Sequence, residues 1–176
     1  ATIIRPSIMF GSEDGFFTRL AELARISPFL PLIGGRTRFQ PVYVGDVAKA
    51  IVVALSREDS KGATYELGGP RTYSMKELLL YITKVIDRPR ILVPIPFLFA
   101  GPLGYTIGLL SRLNPFSGPP LTGDQVTMLR KDNVVSNKAK TFEDLGVSNL
   151  ETVEAIAPTY LARYRPGGRA PQLRKA

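Results

Sequence analysis

The 176-residue chain contains neither cysteine nor histidine. Without cysteine there is no disulfide framework, no thiol nucleophile and no cysteine-ligated metal. Without histidine the usual zinc ligand and the commonest general base are missing as well. Any chemistry therefore falls to carboxylates, tyrosines, lysines or a bound cofactor, and the sequence assigns no catalytic and no metal-ligating residue. Acids are missing from the C-terminal stretch, where Arg163, Arg165, Arg169, Arg174 and Lys175 follow Pro158 with no carboxylate among them. Charge of either sign is missing between Arg90 and Arg112.

What is present is a globular composition. Hydrophobic residues make up 44% of the chain, 23 basic side chains face 15 acidic ones for a net charge of +8, and 15 prolines imply many irregular joins. The length suits one domain with a sizeable core, or one domain with a small appendage. The basic segment 166–176 reads as a solvated tail, or as an anchor for anionic lipid or an acidic partner. Nucleic acid is not expected, because the basic residues are neither interleaved with stacking aromatics nor set on a recognisable motif.

Residues 2–10 are β-branched and apolar, closed by Gly11, and predict a strand. Phe16, Leu20 and Leu23 repeat at helical spacing between Asp14 and Ile26, and Pro28 ends the run. Residues 28–35 read as a greasy loop. Residues 39–44 predict a second strand, with Pro41 at an edge or entry position, and Asp46 stands where a helix N-cap belongs, ahead of a stripe of Val47, Ile51, Ala54 and Leu55. A short strand over 64–67 is broken by Gly68-Gly-Pro70. Ser74-Met-Lys-Glu77 is a capping box, and its helix runs to about Ile86 on a stripe of Leu78, Ile82 and Val85. Residues 90–93 read as a further strand. The order β-α-β-α-β-α-β predicts an α/β fold with a partial, mostly parallel sheet and covering helices over residues 1–93.

Beyond Pro94 only helices are expected, so residues 94–165 form a helical extension and 166–176 the tail. The uncharged run carries Pro94, Pro96, Pro102, Gly101, Gly104 and Gly108, which argues for a buried helix or pocket lid and against a transmembrane span. Thr122-Gly-Asp-Gln125 resembles a second capping box. The last helix, from about Leu150, places Val153, Ile156, Tyr160 and Tyr164 on one stripe.

Taken in order, Arg5-Pro-Ser-Ile-Met-Phe-Gly11, Thr37-Arg-Phe-Gln-Pro-Val-Tyr-Val-Gly-Asp-Val-Ala48, Tyr65-Glu-Leu-Gly-Gly-Pro70 and Tyr73-Ser-Met-Lys-Glu-Leu78 resemble the C-terminal half of extended and atypical short-chain dehydrogenases. The fold implied is a Rossmann-like one. The run from Pro119 to Val126, with Asp132-Asn-Val-Val135, is most similar to the family of nucleotide-binding accessory subunits of respiratory complex I and their bacterial relatives. The resemblance implies NADP or NAD as cofactor, with Pro6, Ser7, Ile8 and Phe10 beside the nicotinamide ring; for Ile8 and Phe10 a plain core role stays open. It also implies a substrate phosphate held by arginine, for which Arg36 and Arg38 are the candidates, although counting back from Asp46 puts Phe39 at the family's arginine position.

The family's tyrosine and lysine four residues apart do not occur here. Tyr73 with Lys76 and Tyr81 with Lys84 are spaced by three, and no glycine-rich phosphate loop is present. Beginning directly on a strand, the chain is expected to be a piece of a longer protein and inert alone. Two functions follow from the resemblance. One is a structural part of a nucleotide-binding subunit in a respiratory complex, cytoplasmic or peripheral on the bacterial inner membrane. The other is an NAD(P)-dependent reductase or epimerase acting on a sugar nucleotide, a quinone or an isoprenoid.

Overall fold

A computed structural model describes residues 1–99 and 127–168. The predicted N-terminal strand divides in two, β1 (Ile3–Pro6) and β2 (Met9–Phe10). β1 pairs in parallel with β6 (Thr64–Leu67), and β2 pairs in parallel with β5 (Val42–Tyr43). The switch falls at Ser7 and Ile8, where the Ser7 N–H donates to the Leu67 carbonyl and the Ile8 carbonyl accepts from the Val42 N–H, both at 2.9 Å. The predicted strand over 39–44 divides likewise into β4 (Arg38–Phe39) and β5, because Pro41 between them has no N–H to give a ladder. β4 runs antiparallel to β7 (Tyr73–Ser74).

Residues 28–35 are not a loop. Phe29–Ile33 is a strand, β3, parallel to β8 (Ile91–Ile95) with Phe29 opposite Ile91 and Ile33 opposite Ile95. Pro31 and Pro94 are tolerated because this ladder has only two strands, so each proline can turn its missing donor to an unpaired edge. Among the described residues the strands form four separate two-stranded ladders, three parallel and one antiparallel.

Helix α1 (Phe16–Ile26) starts on Asp14, whose Oδ1 accepts from the N–H of Phe17 at 2.6 Å and of Thr18 at 3.2 Å. It buries Phe17, Ala21 and Ala24. Helix α2 (Val44–Ser56) follows β5 without a turn, so its N-cap is Tyr43 and not Asp46. Asp46 lies inside the first turn, 1% exposed, with Oδ1 accepting from Lys49 Nζ at 3.0 Å and Oδ2 from the Glu151 N–H at 2.7 Å. The expected stripe of α2 is rotated: Val47, Ala50 and Ala54 are buried, whereas Ile51 and Leu55 are exposed. Val47, Ala50 and Ala54 share a core with Tyr65 and Leu67 of β6.

Helix α3 (Met75–Val85) carries the predicted capping box in full, with Glu77 N–H donating to Ser74 Oγ and Ser74 N–H to Glu77 Oε2. Ser74→Ala is expected to lower stability by about 1 kcal/mol, read as a drop in melting temperature of a few degrees, while Ser74→Thr keeps most of it. Leu78, Ile82 and Val85 are buried as expected.

Helix α4 (Val153–Leu161) begins at Thr152, whose hydroxyl accepts from the Ala155 N–H. Val153, Ala157, Tyr160, Leu161 and, beyond the helix, Tyr164 share one core with α1 and α3. A second core joins Val42, Val47, Ala50 and Ala54 to Tyr65, Leu67, Phe142 and Leu145. Of the predicted helical extension, residues 100–126, including the Thr122–Gln125 motif and most of the uncharged run, lie outside the described residues, as do residues 169–176 of the tail. No helix among the described residues is long and apolar enough to cross a membrane.

Candidate functional site

Beyond the carboxyl end of β1, between α1, α3 and the β3–β8 ladder, lies a cavity of about 550 Å³. Its walls are apolar: Ile8, Phe16, Leu20, Ile33, Phe39 and Leu79 contribute most of the character. Arg19, Lys131, Asp132 and Asn133 line it as well and supply the polar groups. Ligands of open parallel sheets lie on this side of the strands, and the volume falls within the usual range for small-molecule sites.

One wall is built by the segment 129–135, held by residues far away in sequence. Thr37 Oγ1 donates to the Leu129 carbonyl at 2.6 Å, and Ser7 Oγ donates to the Asn133 carbonyl at 2.8 Å. The N–H of Asn133 donates to the Arg38 carbonyl at 2.8 Å, and the N–H of Gln40 returns to the Asn133 carbonyl at 3.1 Å. The Gln40 side chain bridges further, accepting from the Val135 N–H through Oε1 and donating through Nε2 to the Gly69 carbonyl. These bonds satisfy backbone groups that a loop beside a cavity would otherwise leave unpaired.

The candidate residues occupy different places in this arrangement. Ile8 is half-buried and forms part of the cavity wall. Pro6 ends β1 opposite Leu67, and Ser7 commits its hydroxyl to Asn133. Phe10 is fully buried, with its ring 5.9 Å from that of Phe17 and 5.8 Å from that of Tyr43. Arg38 is engaged by Asp132, its backbone N–H reaching Oδ1 and its Nε reaching Oδ2, each at 2.8 Å. Arg36 is exposed and has no ion pair among the described residues. The walls suit a flat apolar ring or a chain of methylenes. Among the described residues no group of three or more carboxylates could hold a metal ion.

Among the described residues the tyrosines with raised hydroxyls near α3 do not line the cavity. Tyr73 gives its hydroxyl to Glu154 at 2.8 Å, and Tyr81 donates to the Val153 carbonyl at 3.3 Å, so both face α4. Burial and then the Glu154 carboxylate push the Tyr73 hydroxyl well above its ordinary range. Burial, with Glu154 second, raises that of Tyr81 to about 12. Both are protonated at neutral pH. Asp132 is shifted the other way, held down by the backbone N–H and then the guanidinium of Arg38. Glu66 is lowered by the backbone N–H and hydroxyl of Ser136.

A carboxylate whose folded pKa is depressed stabilises the fold above its unfolded value, and that stabilisation is lost as pH falls through the folded value. The ordinary values are 3.8 for Asp132 and 4.5 for Glu66. Melting temperature is therefore expected to hold steady down to about pH 5 and fall below it. Asp132→Asn with Glu66→Gln should flatten that acid limb, and an unchanged limb would contradict the assignment.

The segment 129–135 is the part of the site that sequence reasoning missed. Its bond to Ser7 spans 126 positions, and local periodicity carries no signal over that separation.

No family model matches the sequence. The chain is 38% identical over 173 residues to NADH dehydrogenase (ubiquinone) 1 alpha subcomplex subunit 9, mitochondrial, of Arabidopsis thaliana, covering 96% of this chain and 43% of that protein. The same-named protein of Rattus norvegicus is 37% identical over 163 residues, covering 89% of this chain and 41% of the relative. NADH-ubiquinone oxidoreductase 40 kDa subunit, mitochondrial, of Neurospora crassa is 31% identical over 164 residues, covering 93% and 41%. The chain thus spans about two fifths of the length of the curated relatives it matches. Their names are mitochondrial, which is not the bacterial cytoplasmic setting the sequence suggested.

Among solved structures, UDP-glucose 4-epimerase of Thermotoga maritima superposes with a TM-score of 0.60 at 17% identity, over 91% of this chain and 44% of that one. UDP-glucuronic acid 4-epimerase of Bacillus cereus, in complex with UDP-glucuronic acid and NAD, gives 0.51 at 17% identity, over 91% and 44%. At these identities the likeness is one of fold, a Rossmann-like α/β epimerase fold.

Proposed function

Because this chain is a homologue of part of the alpha subcomplex subunit 9 and 40 kDa subunits of mitochondrial NADH dehydrogenase, we propose that it forms part of a structural, nicotinamide-nucleotide-binding accessory subunit of a respiratory NADH dehydrogenase complex. The observation that carries this reading is the similarity along 96% of the chain to a protein so named. The nucleotide, NADP or NAD, would lie with its ring end near Ile8, with Pro6 and Ser7 shaping the strand end and Phe10 supporting it from behind. When bound, such a nucleotide supplies hydride chemistry; the residues of this chain bind and orient it. Among the described residues no tyrosine lines the cavity beside Lys131.

The fold likeness to sugar-nucleotide epimerases supports a second reading, an NAD(P)-dependent reductase or epimerase. The apolar walls weigh against a sugar nucleotide, since its hydroxyls would lose water without gaining partners. Arg38, paired with Asp132, is not poised for a phosphate either. The basic tail is proposed to touch complex subunits or an anionic membrane surface.

The test is native electrophoresis of detergent-solubilised membranes from the source organism, with nucleotide extracted from the band. Co-migration with NADH dehydrogenase activity, and about one nicotinamide nucleotide per subunit retained through purification, is the expected result. A protein that migrates alone and turns over NADPH with a sugar nucleotide or quinone would support the second reading instead.

A further inference from the structure

The cavity has a chemistry that a nicotinamide ring does not account for. Its walls run from Leu20 and Leu23 on α1 to Ile33 on β3, Phe39 on β4 and Leu79 on α3, all apolar, with Asn133 as an uncharged polar residue among the lining. Thr37, the nearest hydroxyl in sequence to Phe39, is committed to the Leu129 carbonyl. Arg19 and Lys131 line the same cavity, are exposed at its edge and form no ion pair among the described residues. The carboxylate that also lines it, Asp132, is neutralised by Arg38. An apolar interior with two uncompensated cations at its edge is complementary to an amphiphile.

We propose that this cavity holds the hydrocarbon chain of an anionic amphiphile, with the chain against Leu20, Ile33, Phe39 and Leu79 and the acidic head beside Arg19 and Lys131. Burying methylenes against these walls gains apolar contact at no polar cost. The head stays at the edge, where two cations favour it without a full desolvation penalty. A neutral chain of equal length would enter on the apolar term alone, and a short acid would keep the charges but lose most of the burial. The inference rests on the reading above of this cavity as a ligand site, and extends it to a second class of ligand beside the nucleotide.

The test is calorimetric titration of the delipidated full-length protein, below micellar concentrations, with oleate, oleyl alcohol, octanoate and, separately, NADPH. Oleate is expected to bind one to one, about tenfold tighter than oleyl alcohol if each cation contributes as surface pairs do, with octanoate weaker than both. The double variant Arg19→Gln with Lys131→Gln, which changes only exposed side chains, should bring oleate to the affinity of oleyl alcohol and leave the alcohol unchanged. Equal affinity for acid and alcohol in the parent protein, non-saturating oleate uptake, or a preference untouched by the double variant would each overturn the proposal. NADPH binding without oleate binding overturns this inference alone. Oleate binding without NADPH binding overturns the nucleotide reading and leaves this one standing.

Discussion

Phe10→Ala is expected to destabilise the protein by about 3–5 kcal/mol, the range for removing a buried phenylalanine. Against a typical domain stability of about 5–15 kcal/mol, that is enough to unfold a sizeable fraction of molecules at ambient temperature. The side chain is fully buried, and its ring packs against Phe17 from α1 and Tyr43 at the start of α2. Deleting it opens a void where the β2–β5 ladder meets both helices. Phe10→Leu keeps most of the volume and should cost far less. The pair also tests the proposal that Phe10 supports a nucleotide site. If the ring only supports the wall from behind, Phe10→Leu binds NADPH as the parent does. If it contacts the ligand, affinity falls while the melting temperature holds. Chemical denaturation of both variants with a parallel nucleotide titration gives the answer.

The second large effect is expected at Gly69, and its cause is backbone, not side chain. A Cβ on Gly69 would overlap the Pro41 carbonyl oxygen and lie 2.9 Å from its carbon. That contact cannot be relieved by turning a rotamer, so the chain around Gln40 and Pro41 must move. Movement there strains the Gly69 N–H bond to the Gln40 carbonyl and the Gln40 side-chain bond to the Gly69 carbonyl. Overpacking costs about 1–3 kcal/mol even where side chains can adjust, so Gly69→Ala should lie at or above the top of that range. Gly15→Ala is the control, because a Cβ there meets nothing within 4 Å. Urea midpoints that coincide for the two variants would show that the β1–β6 and β2–β5 ladders can slide apart at no cost.

The comparison of sequence with structure divides along distance in the chain. The Ser74–Glu77 box, the stripe of α3 and the burial of Val153, Tyr160 and Tyr164 were readable, because each is decided within a few residues, although Ile156 of the same stripe is only half-buried. β3 was not readable: Pro31 argues against a strand, and only the partner β8, far along the chain, makes one. Asp46 has the residue type of a cap, yet it is a buried acceptor for the N–H of Glu151, 105 positions on. The rotation of α2 came from the same source, since only the ladder beneath decides that Ala50 and Ala54, and not Ile51 and Leu55, turn inward. Within the candidate site Ile8, singled out by its motif, lies in the cavity wall, whereas the pairing of Arg38 with Asp132 depends on a wall contributed from 94 positions away.

That wall sets an order in time. Ser7, Thr37, Arg38 and Gln40 all take partners from residues 129–135, and the bond from Ser7 to Asn133 spans 126 positions. A ribosome adding about 5–20 residues per second needs roughly 6–25 s to cover that interval. Throughout it the Ser7 hydroxyl stays open to water, while the Ser7 N–H and the Ile8 carbonyl meet Leu67 and Val42 earlier. The cavity wall is thus among the last parts of this chain to close during synthesis, after the β1–β6 ladder and α3 have had time to form.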